Sequence, residues 1–315
     1  MSAVYVEAGP DAGAVWHWGD PLREQRLLES GQAAADLSHF PRFAVSGPDR
    51  LTWLHAITAQ DFASLPPGRP VVAHILDPQG RIAHTFSGVD DGRAFHGRTE
   101  PGCADALLAW LRKMVFAAKV EVLGVDTAGP PGLSGEDGGG RPLASAEGVA
   151  AAAKAGMWAR EALRIAAGRP RVFLDTDELT IPNEIAMPDG DRLGEGVHLK
   201  KGCYPGQETV ARVHNLGHPP RRLVKLLLDG SADRLPEVGS PVLADGEVVG
   251  RMGTAAIHYE LGPVGLALVK RTVPVEAPLS VEGIAAAQEV VVDPDVGLHF
   301  RPAQQLRSLS LKSAR

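Results

Sequence analysis

Apolar residues return at helical spacing in three stretches of the chain. Leu51, Leu54 and Ile57, with Thr58, follow the start signal Gly47-Pro48-Asp49. Leu107, Leu108, Leu111 and Met114 follow Pro101, and Ala162, Leu163, Ile165 and Ala166 run up to Gly168. Intervals of three and four residues place such side chains on one helix face, with Pro near a start and Gly past an end. Short runs rich in apolar and β-branched residues predict strands at Arg42–Ser46, Val71–Leu76, Arg81–Phe86, Val120–Leu123 and Arg171–Leu174. After Pro220 only strands are expected: Arg222–Leu228, Pro241–Ala244, Glu247–Gly250, Val264–Val269 and Glu289–Val292. Asp245-Gly246 between two apolar runs is a hairpin signal. Closely spaced short strands predict a small barrel or sandwich over 221–300, and the whole reads as α+β.

Glycine and proline, 36 and 25 in number, punctuate this pattern at two places. Residues 127–148 read as a surface loop or flexible insertion, and Gly217-His218-Pro219-Pro220 as a domain boundary. The expected organisation is a region 1–218, a β-barrel at 219–300 and a basic tail at 301–315. A length of 315 residues fits two domains, and 44% hydrophobic against 22% charged residues supplies a sizeable core.

Charge and cysteine content narrow the function. A net charge of −6 and 5% aromatic residues speak against nucleic-acid binding. The two cysteines, Cys103 and Cys203, exclude a disulfide scaffold, a four-cysteine zinc site and an iron–sulfur cluster held by four thiolates of one chain. No apolar run reaches about 18 residues, so no membrane span is expected. The start lacks a basic segment followed by an apolar one, so the expected location is cytoplasmic. Dinucleotide, phosphate-loop and zinc-protease motifs are missing.

The densest chemistry lies in Lys200-Lys201-Gly202-Cys203-Tyr204-Pro205-Gly206-Gln207-Glu208, continuing to Arg212. Two glycines and a proline around a cysteine build a tight turn. Nearby cations favour a thiolate, so Cys203 reads either as an activated thiol or as an inert loop cysteine. Ile181-Pro182-Asn183-Glu184 offers a carboxylate able to accept paired N–H donors from a heterocycle, or is a plain turn. His214 and His218 stand four apart, but Gly217, Pro219 and Pro220 argue against a helix and a metal pair there. His55 and His84 read as satisfied polar residues on a helix and a strand, Cys103 as a packing residue, and Arg221-Arg222 as a solvated strand edge.

The string Lys201-Gly202-Cys203-Tyr204-Pro205-Gly206-Gln207-Glu208, with Val210-Ala211-Arg212 after it, resembles the YgfZ folate-binding family. That family is related to the T-protein, the aminomethyltransferase of glycine cleavage. Asp36-Leu37-Ser38, Leu54 through Asp61, Leu163 through Gly168 and Ile181 through Glu184 extend the likeness over roughly residues 30 to 300. The resemblance implies three lobes around a central cavity for tetrahydrofolate, the last lobe a small β-barrel. It also implies a part in assembling or repairing iron–sulfur clusters, with folate and iron–sulfur client or assembly proteins as partners. Cys203 is then the thiol that matters. Lys201, Tyr204, Gln207, Glu208, Arg212, Arg164 and Glu184 are the candidate folate contacts.

Two departures stand out. Where T-proteins carry two aspartates after G-x-[IL], this chain has Ala83-His84, so the acid/base group of aminomethyl transfer is missing. Where they carry the glutamate of L-R-L-E-A-G, it has Ala166, leaving Glu184 and Glu208 as candidates to replace it. Whether the chain is an enzyme stays open. The alternatives are a folate-dependent one-carbon (aminomethyl) transferase with His84 as base, and a folate-free scaffold.

Overall fold

A computed structural model describes residues 2–125, 135–136 and 153–296. Apart from the short strand Gly135–Glu136, the expected insertion at 127–148 and the basic tail at 301–315 lie outside the described residues.

The first lobe is a five-stranded antiparallel sheet. Its order is Pro70–Leu76, Ile82–Asp90, Ala94–Arg98, Arg42–Ser46 and Glu121–Val125. Helices Arg50–Ile57 and Ala104–Lys113 cover one face, setting Trp53, Leu54, Leu107 and Leu111 against Phe43, Phe86 and Phe95. The phenylalanines meet edge to face, with Phe43 and Phe86 centroids 5.4 Å apart. A Cβ on Gly97 would stand 2.3 Å from the Phe43 ring, so glycine is what admits that ring.

The second lobe is smaller. Strand Ala33–Asp36 runs parallel to Ala153–Ala155 and antiparallel to Gly135–Glu136. Helices Pro21–Glu29 and Met157–Ala166 pack on it through Leu28, Ala159 and Leu163 against Ala33, Ala35 and Ala155. Alanines in the strands let the helices approach closely.

The third lobe is a closed barrel in the order Arg221–Leu228, Gly262–Lys270, Glu247–His258, Pro241–Ala244, Leu279–Val281 and Ile284–Val290. The last strand pairs with the first. Val224, Leu226 and Leu228 point into its core, while Leu223 turns outward onto Ile165, Val172 and Tyr204. Asp245 and Gly246 both take positive φ, 49° and 81°, as a two-residue hairpin turn requires.

Three differences from the sequence expectation stand out among several. Residues 171–174 form a turn instead of a strand. Asp175 accepts the Arg171 N–H at 2.7 Å, and Phe173 stands at φ 76° with its N–H on Thr176 Oγ1. Helix Gln207–Leu216 follows the thiol loop where only a turn was expected, and His214 lies on it. Gly206 opens it at φ 77°, where a Cβ would meet Asp77 O at 2.5 Å. Helix Pro21–Glu29 was also unforeseen; Asp20 caps it by accepting from Arg23 N at 3.0 Å.

A buried ionic network joins the lobes. Arg171 donates to Asp11 at 2.6 and 2.9 Å and to Glu100 at 2.7 and 2.9 Å, and lies 3.4 Å from Glu161. Arg164 donates to Glu161 at 2.5 Å, Asp175 at 2.8 Å and barrel residue Thr254 at 2.6 Å. Asp175 also accepts Thr254 N, at 2.6 Å; a Cβ on neighbouring Gly253 would come within 2.5 Å of that carboxylate. Burial by itself would raise the Glu161 carboxyl, but the charges of Arg164, Arg171 and Arg160 outweigh it and hold the group at about 2. Asp11 is likewise held far below the ordinary range: burial opposes this, and His39 and Arg171 prevail.

Two outcomes follow from the network. Arg171→Met leaves Asp11 and Glu100 without a guanidinium, takes one of three from Glu161, and lowers unfolding free energy by about 3–5 kcal/mol, measured by denaturant titration. The Glu161 contribution is fully present above its ordinary value of 4.5 and is lost as pH falls toward about 2. Melting temperature therefore drops through that window, and the drop is shallower in Arg171→Met.

Candidate functional site

A cavity of about 530 Å³ opens where the first lobe meets helix Met157–Ala166 and the hairpin of residues 192–198. Each wall has a local cause. Helix positions 160, 163, 164 and 167 share one face by helical spacing and present Arg160, Leu163, Arg164 and Ala167. His74 and Thr85 are cross-strand partners, with Nδ1 and Oγ1 3.1 Å apart. Burial pushes the His74 imidazole down to about 4, so it is neutral at pH 7. The hairpin is pinned over this sheet by Gln60, whose side-chain amide donates to Val72 O at 2.8 Å and Glu195 O at 2.6 Å. A Cβ on Gly196 would strike the His74 ring at 2.2 Å, so only glycine lets the hairpin lie there.

The inner end is built around Phe40. The guanidinium groups of Arg160, Arg171 and Arg98 lie 5.2, 5.3 and 5.9 Å from its ring centroid. Glu100 also lines this end. Its Oε2 takes both donors from Arg171, and its Oε1 accepts no hydrogen bond among the described residues.

The thiol loop lies elsewhere. Lys201 is buried and donates to the carbonyl oxygens of His55 and Thr58, the latter at 2.7 Å, at the end of helix Arg50–Ile57. Its ammonium stands 5.2 Å from the Tyr204 ring centroid. Burial lowers it to about 8, against the pull of Asp61 and Cys203. Tyr204 is buried in the core between lobes, and burial pushes its hydroxyl up to about 12. Cys203 is exposed. Gln207 and Glu208 begin the following helix, and Arg212 lies exposed upon it.

The structure thus brings Lys201, Cys203, Tyr204, Gln207 and Glu208 together, but none of them lines the cavity; among the sequence candidates only Arg164 does. Asp61 is the link. It lines the cavity, stands 3.0 Å from His55 Nδ1 and attracts Lys201. Glu184 lies away from the cavity wall. It is buried and accepts from Arg221 N, Nε and Nη2 at 3.2, 2.9 and 2.9 Å, which ties helix Pro182–Ile185 to the barrel. Arg221 is accordingly an interior anchor, not a solvated edge. Glu208, the other candidate carboxylate, is exposed at the start of its helix. His84 packs 6.0 Å from Trp110 and is absent from the cavity wall, which removes it as a base there.

Sequence reasoning missed Phe40, His74, Arg98, Glu100 and Arg160. One signal was available: Arg160 stands one helical turn before Arg164, so the two share a face.

The barrel matches the family model of the CAF17 C-terminal beta-barrel domain over residues 221–294. An Arabidopsis thaliana protein named as a transferase and as chloroplastic is 29% identical over 280 residues, 71% of this chain and 62% of that protein. The tRNA-modifying protein YgfZ of Escherichia coli is 42% identical over 111 residues, 34% of this chain and 32% of the relative. The chain thus spans under two thirds of the length of either. Among solved structures, the glycine cleavage aminomethyltransferase T of Bartonella henselae superposes with a TM-score of 0.68. It is 18% identical and covered over 95% of this chain and 96% of its own. The chain is thus similar to YgfZ in sequence and to the aminomethyltransferase in fold, in line with the resemblance read from its sequence.

Iodoacetamide distinguishes the two thiols. Cys203 is exposed, whereas Cys103 is half-buried and its thiol is raised by burial and by the Glu100 charge. Peptide mapping of the native protein at pH 7.5 is expected to show Cys203 alkylated at least about tenfold faster. Equal rates, or faster reaction at Cys103, would contradict this geometry.

Proposed function

We propose that the chain binds a tetrahydrofolate in the cavity between its lobes and serves as an accessory protein in assembling or repairing iron–sulfur clusters of client enzymes. The observation that carries the folate half is the cavity itself. Its volume, about 530 Å³, falls within the roughly 300–1,000 Å³ of small-molecule sites. A pterin presents N–H and NH2 donors side by side, and the open Oε1 of Glu100 is a carboxylate oxygen able to receive them. Glu100 thereby takes the role that Ala166 cannot fill. Phe40 and Leu163 offer apolar surface for flat rings, and Arg98 and Arg160 supply donors.

The iron–sulfur half rests on the thiol loop. Cys203 is an exposed thiol on a loop anchored by two buried neighbours, Lys201 and Tyr204. Gln207, Glu208 and Arg212 follow it on one helix and form the surface that a client enzyme would meet. With two cysteines in all, the chain can contribute a ligand to a cluster in transit but cannot hold one by itself. The relatives' name points to tRNA modification. On our reading that link runs through a client enzyme, because a chain of net charge −6 is a poor match for RNA. Unpaired cysteines agree with a reducing, cytoplasmic setting.

Anaerobic titration calorimetry tests the folate half. Tetrahydrofolate is expected to bind with a low-micromolar Kd, about −8 kcal/mol. Glu100→Gln keeps an acceptor for Arg171 and is expected to weaken binding about tenfold. Absence of heat, together with absence of thermal stabilisation at millimolar ligand, would overturn the reading. For the thiol, Cys203→Ala should still bind folate yet fail to restore iron–sulfur enzyme activity in a strain lacking the protein. Full restoration would remove the role of Cys203.

A further inference from the structure

The turn between helix Ala104–Lys113 and strand Glu121–Val125 carries the most exposed large apolar side chain among the described residues. Phe116 is 82% exposed, against 58% for Tyr5, the next in order. Its backbone stands at φ 42°, in the left-handed region that a bulky side chain adopts only with strain. The ring gains no packing in return, so folding alone gives no reason for a phenylalanine here. The neighbours behave in the opposite way: Met114, Val115, Ala118 and Val120 all pack on the core of the first lobe.

The turn around that ring is held firmly. Trp53 Nε1 donates to Met114 O at 2.9 Å, Ala118 N to Val115 O at 2.9 Å, and Lys119 N to the Asp49 carboxylate at 2.8 Å. A Cβ on Gly47 would overlap Lys119 O, so the chain leading into helix Arg50–Ile57 lies directly against the turn. Both ends are fastened, and Phe116 projects from a fixed platform. Its surroundings are cationic. Arg112, Lys113 and Lys119 are exposed, and their side chains make no hydrogen bond or ion pair among the described residues. The carboxylates of this region do not answer them. Asp49 is taken by Lys119 N, and Glu121 alternates with core residue Val122, so it faces the other side of the sheet.

We infer that the turn 114–119 is a docking point for a protein partner, with Phe116 seated in an apolar pocket whose bordering carboxylates meet Arg112, Lys113 and Lys119. An aromatic side chain presented from a rigid turn loses little freedom on binding, and such anchors dominate interface affinity. The cations around it steer an acidic partner and fix its orientation. Other occupants fit less well. A symmetric contact with a second copy would set the same three cations against each other. A membrane surface is held by a broad apolar face, and the one other exposed apolar residue of the turn is Ala117. The inference goes beyond the proposed function and depends on neither the cavity nor Cys203.

The test replaces Phe116 of the full chain by the photo-cross-linker p-benzoylphenylalanine, in the cells that make the protein. The same group at Val248, a barrel site 55% exposed, is the control. Irradiation is expected to give a discrete adduct with another protein from position 116 alone, reduced about fivefold or more by Arg112→Glu/Lys113→Glu. Mass spectrometry identifies that protein. In purified form it is expected to bind Phe116→Asn about tenfold more weakly than the unaltered chain, whose own affinity falls with salt. Asparagine tolerates positive φ, so the melting temperature of Phe116→Asn is expected to hold or to rise by about 1–3 °C. A fall would make Phe116 a structural residue and overturn the inference. Absence of an adduct, an adduct indifferent to the charge reversal, or equal adducts from positions 116 and 248 would also overturn it. An adduct of the chain with itself would assign the turn to a second copy instead. Sedimentation with vesicles of phosphatidylcholine and phosphatidylserine in equal parts, abolished in Phe116→Asn, would assign it to a membrane surface; either result overturns the protein partner.

Discussion

Two buried guanidinium groups, Arg164 and Arg171, hold the molecule in the shape its cavity requires. Arg171 connects Asp11 of the N-terminal segment with Glu100 of the first lobe, and both arginines meet on Glu161 of the second-lobe helix. Arg164 extends the connection to Thr254 of the barrel. Such groups are costly to bury, and they are tolerated because nearly every donor finds a charged or carbonyl acceptor. The arrangement is stiff for the same reason. Planar forks donate to their carboxylates in few geometries, which restricts how the three lobes meet. The cavity is the space left between them, and its inner wall is the reverse side of the network.

That origin explains the division of labour in the site. Because the inner arginines already face carboxylates, the interior offers directed hydrogen bonds and a phenyl ring more than net charge. The thiol loop is tethered separately, by Lys201 capping the end of helix Arg50–Ile57 and by Tyr204 sunk between lobes. It leaves Cys203 outside, facing solvent, while Asp61 forms part of both regions. A folate in the cavity and a partner at the thiol would occupy different places on the protein. The stretch from His55 to Asp61 lies between the two regions.

Much of the fold was legible in the sequence where structure is local. The barrel strands alternate inward and outward residues, and Asp245-Gly246 is one of the few pairs its turn favours. Leu107 and Leu111 announce their helix by spacing. The errors arise where distant partners decide. Val172 and Leu174 read as a strand, but the Asp175 carboxylate folds that segment into a turn. Glu184 read as a free carboxylate because its partner Arg221 lies 37 residues away. The cavity walls come from separate segments whose residues share no motif, whereas the candidate chemistry legible in sequence is concentrated in the string around Cys203. Arg164 alone carried the reading into the cavity, because the L-R helix motif happens to form its wall.

The most direct test of the account is a crystal structure of the chain grown anaerobically with tetrahydrofolate. The account predicts ligand density in the cavity between the lobes, with the pterin edge on the Glu100 carboxylate. Density confined to the thiol loop, or a pterin seated away from Glu100, would contradict it.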